Sequence, residues 1–95
     1  MKTEFKEGFL AYFRGDYAVA LEKWTPLAER GAAEAQVKLG IMHAKGEGVE
    51  QDYGTAVRWY RAAAEQGSSK AQFNLGVIYE NGQGVRADGA EAANW

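Results

Sequence analysis

The chain has one histidine, His43, and no cysteine. A lone imidazole cannot build a histidine-rich metal site, and without a thiol there is neither a thiolate ligand nor a disulfide. Glu7 and Glu34 are carboxylates to which helical periodicity gives no partner at acid–base spacing, and no Ser-His-Asp set can be placed. Two glycine pairs, Gly46-x-Gly48 and Gly82-x-Gly84, invite comparison with phosphate loops. They lack the third glycine and a following Lys-Ser or Lys-Thr, and each follows a helical rather than a strand pattern. A turn between helices, with backbone at positive φ, explains them better. Trp24, Trp59, Tyr60, Tyr53 and Tyr17 suggest an aromatic ligand cage, but their spacing is that of a packed helical stripe. His43 stands where a later copy of the pattern has Tyr79, which favours packing over chemistry. No catalytic, metal-binding or cofactor-binding residue is assigned, and the chain reads as not an enzyme.

The elements that carry these residues come from periodicity. Thr3 to Arg14 is the first predicted helix, with Phe5, Phe9, Tyr12 and Phe13 on one side. Gly15 ends it, and Asp16 is the expected N-cap of the next. That helix runs from about Tyr17 to Arg30 on the stripe Tyr17, Ala20, Leu21, Trp24, Leu27 and Ala28. Pro26 lies inside the stripe and predicts a kink near Thr25, with helix continuing beyond. The third helix spans about Ala33 to Lys45, with Ala35, Leu39, Met42 and His43 on one side. After the Gly46–Gln51 turn, Asp52 caps a fourth helix, Tyr53 to Gln66, on the stripe Tyr53, Ala56, Val57, Tyr60, Ala63 and Ala64. The fifth is Lys70 to Asn81, with Ala71, Leu75, Ile78 and Tyr79 inward. Asp88 caps a sixth that runs about two turns to Trp95.

The second half of this pattern is a copy. Residues 31–59 and 67–95 share eleven identities in 29 positions at a spacing of 36. The identities are Gly31, Ala35, Gln36, Leu39, Gly40, Gly46, Gly48, Val49, Asp52, Ala56 and Trp59 with their counterparts. Such a period marks an array of helix pairs. The first pair fits the same frame with a turn four residues shorter, Arg14-Gly15-Asp16 against Gly46 to Asp52. The expected fold is all-α, a right-handed superhelix (solenoid) of about three helix-turn-helix repeats, the last incomplete. At 95 residues this is a single domain, with repeats of about 1–31, 32–67 and 68–95.

The segments Ala35-Gln36-Val37-Lys38-Leu39-Gly40, Gly46-Glu47-Gly48-Val49, Asp52 to Tyr60 and Ala62 to Gly67 closely resemble the Sel-one-like repeat, a relative of the tetratricopeptide repeat. Ala71 to Tyr79 is nearer still, and the first copy, with its short turn, resembles a tetratricopeptide unit. The resemblance implies an α-solenoid adaptor for protein assembly, of the kind found in degradation complexes of the secretory pathway, bacterial signalling, the cell envelope and host contact. Three departures stand out. Glu50 and Arg86 replace the usual proline of the turn, Gly89 stands where the second copy has Tyr53, and the last pair has no evident polar C-terminal cap.

In solenoids of this type the first helix of each pair lines the concave surface. Phe5 and Phe9, Val37 and Ile41, and Phe73 and Val77 recur there in register, with Tyr12 and Phe13 beside them. If the helices stack in order, these residues form an apolar strip suited to an extended peptide or an amphipathic helix. A tight superhelix would instead bury the strip against itself. The expected function is a non-enzymatic scaffold that binds a protein or peptide partner on this strip. The alternative is a self-associating module, a homodimer or a piece of a longer array, completed through the C-terminal helix and Trp95.

Composition closes other routes. The net charge of −2 leaves no basic footprint for nucleic acid. No apolar run approaches the roughly 20 residues of a membrane span. The start, Met1-Lys2-Thr3-Glu4, goes straight into charged residues, so the expectation is a cytoplasmic chain without a signal peptide. A leader removed upstream would move it to the periplasm.

Overall fold

A computed structural model describes residues 2–81. Five α-helices follow one another: α1 (Lys2–Phe13), α2 (Tyr17–Glu29), α3 (Ala33–Lys45), α4 (Tyr53–Glu65) and α5 (Ser69–Asn81). There is no strand among the described residues. Each helix packs against its neighbours in sequence, as an array of hairpins requires. The expected sixth helix, the Gly82-x-Gly84 turn and Trp95 lie outside the described residues.

The helix ends follow from residue type. Gly46 sits in the left-handed region at φ 73° as the C-cap of α3, and Gly48 follows at φ 77°. A side chain at Gly48 would also come within 2.6 Å of Tyr17 Cβ, so this turn needs glycine twice over, for conformation and for room. Asp52 caps α4 as expected: its carboxylate accepts from the Thr55 amide at 3.2 Å and from the Thr55 hydroxyl at 2.7 Å. Asp16 does not do the same. It occupies the N-cap position of α2, but its side chain makes no capping hydrogen bond, and its backbone lies at φ −87°, ψ 71°. The residue that meets Asp52 is a threonine, whereas the corresponding position after Asp16 is Val19, which offers no hydroxyl.

Helix α2 continues through Pro26, and the Arg30 amide still reaches the Pro26 carbonyl at 3.1 Å. Proline cannot donate to the Glu22 carbonyl four residues back. Both residues are exposed, so water can serve the orphaned oxygen.

Two apolar cores result, and α3 belongs to both. The first joins Ala11 of α1, Ala20, Trp24, Leu27 and Ala28 of α2, and Ala35, Leu39 and Met42 of α3. The second joins Val37 of α3 with Ala56, Val57, Tyr60, Ala63 and Ala64 of α4 and Ala71, Leu75, Ile78 and Tyr79 of α5. Helix positions about 100° apart explain the split: Ala35, Leu39 and Met42 face back towards α2, and Val37 faces forward.

Two interior glycines set how closely the paired helices approach. A Cβ on Gly8 would lie 2.4 Å from the Trp24 indole, and one on Gly40 would lie 2.5 Å from the Tyr60 ring. Trp24 and Tyr60 are 36 residues apart, so the same lock of an aromatic ring on a glycine backbone closes both hairpins. The Trp24 indole N–H donates to the Phe5 carbonyl at 3.0 Å, which satisfies a polar atom in a residue that is otherwise fully buried.

Candidate binding groove

The α1, α3 and α5 helices, the first of each pair, present a shared cavity of about 640 Å³. Phe5 and Phe9 from α1, Val37 and Ile41 from α3 and Phe73 from α5 line it. These are five of the eight strip residues read from the sequence. Their spacing of four within each helix keeps them on one line, and the repeat register carries that line from helix to helix. Val37 is buried, Phe5, Phe9 and Ile41 are half-buried, and Phe73 is 70% exposed. The strip is therefore partly covered by its own neighbours and partly open.

The other three lie elsewhere. Tyr12 faces the turns: its ring stands 5.4 Å from Tyr17 and 5.6 Å from Trp24, and its hydroxyl donates to Glu47 Oε1 at 2.7 Å. Burial and the Glu47 carboxylate both push its ionisation well above the usual phenol range. Tyr12 thus ties the first hairpin to the turn of the second rather than lining the cavity. Phe13 sits at the end of α1, 72% exposed, edge-on to Phe9 at 4.7 Å. Val77 lies one turn past Phe73 on α5 and is 36% exposed, outside the cavity wall.

Polar residues that the strip did not include complete the rim. Lys38, Glu34, Lys70 and Asn74 line the cavity, with Gln66 and Ser68 from the α4–α5 connection and Ser69 from the start of α5. The Lys38 ammonium stands 5.3 Å above the centre of the Phe9 ring. Desolvation lowers its proton affinity most, and Lys70 lowers it further, while Glu34 opposes both. Lys38 differs from Asn74 at the spacing of 36, although Lys6 matches it at the spacing of 32 that aligns the first copy.

Gln36 and Gln72 are a signal that could have been followed, since they are a polar identity inside an apolar repeat. Gln36 Nε2 donates to the Ala28 carbonyl at 3.0 Å, and Gln72 Nε2 donates to the Ala64 carbonyl at 3.3 Å. Each clips the first turn of one helix to the last turn of the helix before it. Gln66 Nε2 adds bonds to the Gly31 carbonyl at 2.8 Å and to Gln36 Oε1 at 3.0 Å, which fixes the floor behind the cavity.

His43 is half-buried, and desolvation lowers its pKa, partly offset by Asp52. Its repeat counterpart Tyr79 is buried and accepts from the Arg61 guanidinium. Trp24 and Tyr60 are buried, and Tyr17, Tyr53 and Trp59 pack half-buried against the two cores. These five rings do not converge on the cavity. No group of three or more His, Asp or Glu residues suited to a metal ion occurs among the described residues. None of the described helices is long and apolar enough to cross a membrane.

Residues 33–68 and 69–95 match the family model of the Sel1 repeat. Among solved structures, the chain is similar to a protective antigen of uropathogenic Escherichia coli strains that displays an SLR fold. The two share 40% identity at a TM-score of 0.90, over 99% of this chain and 21% of that one. It is also similar to a Sel1 repeat protein from Oxalobacter formigenes, at 40% identity and a TM-score of 0.83, over 93% of this chain and 36% of that one. The chain therefore spans only a part of the length of these structures. No curated protein matches it.

Proposed function

The chain belongs to the Sel1 repeat family, and from that membership and the groove together we propose that it is a non-enzymatic interaction module that holds a segment of another protein against α1, α3 and α5. Sel1 repeats are in general protein–protein interaction modules. The observation that carries the finer reading is the convergence of Phe5, Phe9, Val37, Ile41 and Phe73, from three different helices, on one open cavity. An apolar floor with a polar rim suits an extended peptide or one face of a helix. Binding would add burial chiefly at Phe73 and Phe9, since Val37 is already covered.

Titration of peptides selected on the wild-type protein tests this. Phe73→Asp changes a residue that is mostly exposed and leaves the cores intact. Loss of a large apolar contact of about 1.5–3 kcal/mol corresponds to binding weakened by about ten- to a hundredfold. Phe9→Asp is expected to act in the same direction. Unchanged binding by both variants would sink the groove reading.

A second reading rests on one comparison. Val37 is 5% exposed and its counterpart Phe73 is 70% exposed. Val37 sits in the second core with α4 and α5, so the same position on α5 offers a seat for a further helix. In this reading a second copy, or another repeat of a longer chain, covers Phe73 and Val77. Sedimentation of the 95-residue chain over a wide concentration range tests the copy: a monomer throughout rejects it.

A further inference from the structure

The groove carries one more cation than anion among the described residues. Lys38 and Lys70 both line it, on the rim of the apolar floor, and Glu34 is the only described carboxylate that does so. No carboxylate among the described residues comes within ion-pair distance of either lysine; the ion pair of Lys23 with Glu7 lies between α1 and α2. The Lys38 ammonium stands over the Phe9 ring at 5.3 Å, a contact that does not neutralise its charge. Partial burial first, and then repulsion from Lys70, weaken the hold of Lys38 on its proton, and Glu34 only opposes them in part. An incoming anion would remove that repulsion and gain two partners, whereas an incoming cation would add a third like charge in a partly desolvated site.

We infer that the groove selects a protein segment in which an acidic side chain is flanked by large apolar ones, the carboxylate lodging with Lys38 and Lys70 and the apolar neighbours lying on Phe9, Ile41 and Phe73. This rests on the groove reading above and adds the chemistry of its occupant. The apolar residues supply affinity and the lysines supply selectivity, because a mismatched charge is rejected more strongly than a matched one is held. Both positions vary along the array: Lys38 corresponds to Lys6 in the first copy and Asn74 in the third, and Lys70 to Glu34 in the second and Lys2 in the first, so the preceding pair of helices sets Lys6 against Glu34. The scaffold is repeated and the charge pair is not, so it belongs to this groove alone among the described residues.

The probe is a random dodecapeptide library displayed on phage, panned on the 95-residue chain and, in parallel, on Lys70→Glu and Lys38→Glu/Lys70→Glu. The expected result is enrichment of Asp or Glu beside Phe, Trp or Leu on the wild type. That enrichment disappears on Lys70→Glu and gives way to Lys or Arg on the double variant. Changing the acid of a selected peptide to its amide is expected to weaken binding by about fivefold, the scale of a partly exposed ion pair, and the difference shrinks at high salt. Helical circular dichroism shows that the variants fold. If the double variant does not, Lys70→Glu still decides, because Lys70 is exposed. Selected peptides without acidic bias, or the same bias on Lys70→Glu, overturn the charge proposal and leave the groove standing. Failure to select any peptide on the wild type overturns the groove reading as well.

Discussion

At the residue scale, two kinds of glycine do different work in this chain. Gly46 and Gly48 are needed for positive φ, and Gly40 is needed for room, since its Cβ position lies 2.5 Å from the Tyr60 ring. Alanine is ordinarily the better helix former by about 0.5–1 kcal/mol. Here the overlap with a buried ring decides the sign, so Gly40→Ala is expected to destabilise by about 1–3 kcal/mol, the usual cost of overpacking. Urea unfolding measures it. In a Tyr60→Leu background the same substitution should cost less, because the two sites are coupled; equal costs would mean that the ring does not hold the glycine. His43 gives a second residue-scale expectation. Burial lowers its folded pKa below the ordinary 6.5, so the unfolded chain takes up the proton first. Stability present at neutral pH is then lost as pH falls through about 6.5 towards the folded value. The thermal midpoint should drop between pH 7.5 and 5.5, and the drop should shrink in His43→Tyr, which installs the residue of the next copy. The low-pKa carboxylate of Asp52 titrates well below this window and does not mask it.

At the element scale, Asp16 and Asp52 show where sequence reading succeeds and where it stops. Both precede a helix, both follow a glycine turn, and the same rule names both as caps. Only Asp52 has a hydroxyl and an amide from one residue, Thr55, at its carboxylate. Asp52→Ala should therefore cost about 1 kcal/mol, and Asp16→Ala should be close to neutral. Chemical denaturation of the two variants side by side measures this; equal losses would mean that the turn length, not the side-chain bond, sets the cap. The helices themselves were legible because apolar periodicity and glycine stops are local. The division of each helix between two faces was not, because it depends on what packs against it. Phe5 and Phe9 line the groove together, but Tyr12, only seven residues from Phe5, turns to Glu47 across the turn. That bond joins residues 35 apart, and no periodicity within α1 contains it. Lys38 and Lys70 are not marked by the 36-residue period, because their counterparts are Asn74 and Glu34.

At the scale of the molecule, the shared helix is what makes five helices one unit. Ala35, Leu39 and Met42 put α3 into the first core, and Val37 puts it into the second. Helices α1 and α5 stand at the two ends of the described array. Leu10 on α1 is 50% exposed where its counterparts Met42 and Ile78 are buried, and Phe73 on α5 is 70% exposed where Val37 is buried. Stability in such an array is a sum over neighbouring contacts, and α3 is the described helix that belongs to both cores. Native-state hydrogen exchange should therefore find the slowest amides in α3, near Leu39 and Met42, with α5 exchanging through smaller openings. Leu39→Ala, a truncation of about 2–5 kcal/mol in a fully buried site, should lower protection in α2 and α4 together, since both lean on α3. A bound segment crossing α1, α3 and α5 should slow exchange most in α1 and α5, because it adds burial at Phe9 and Phe73. Equal protection of α5 and α3 in the free chain would instead mean that the array opens only as a whole, and the groove would then be a rigid slot rather than a surface that its occupant helps to order.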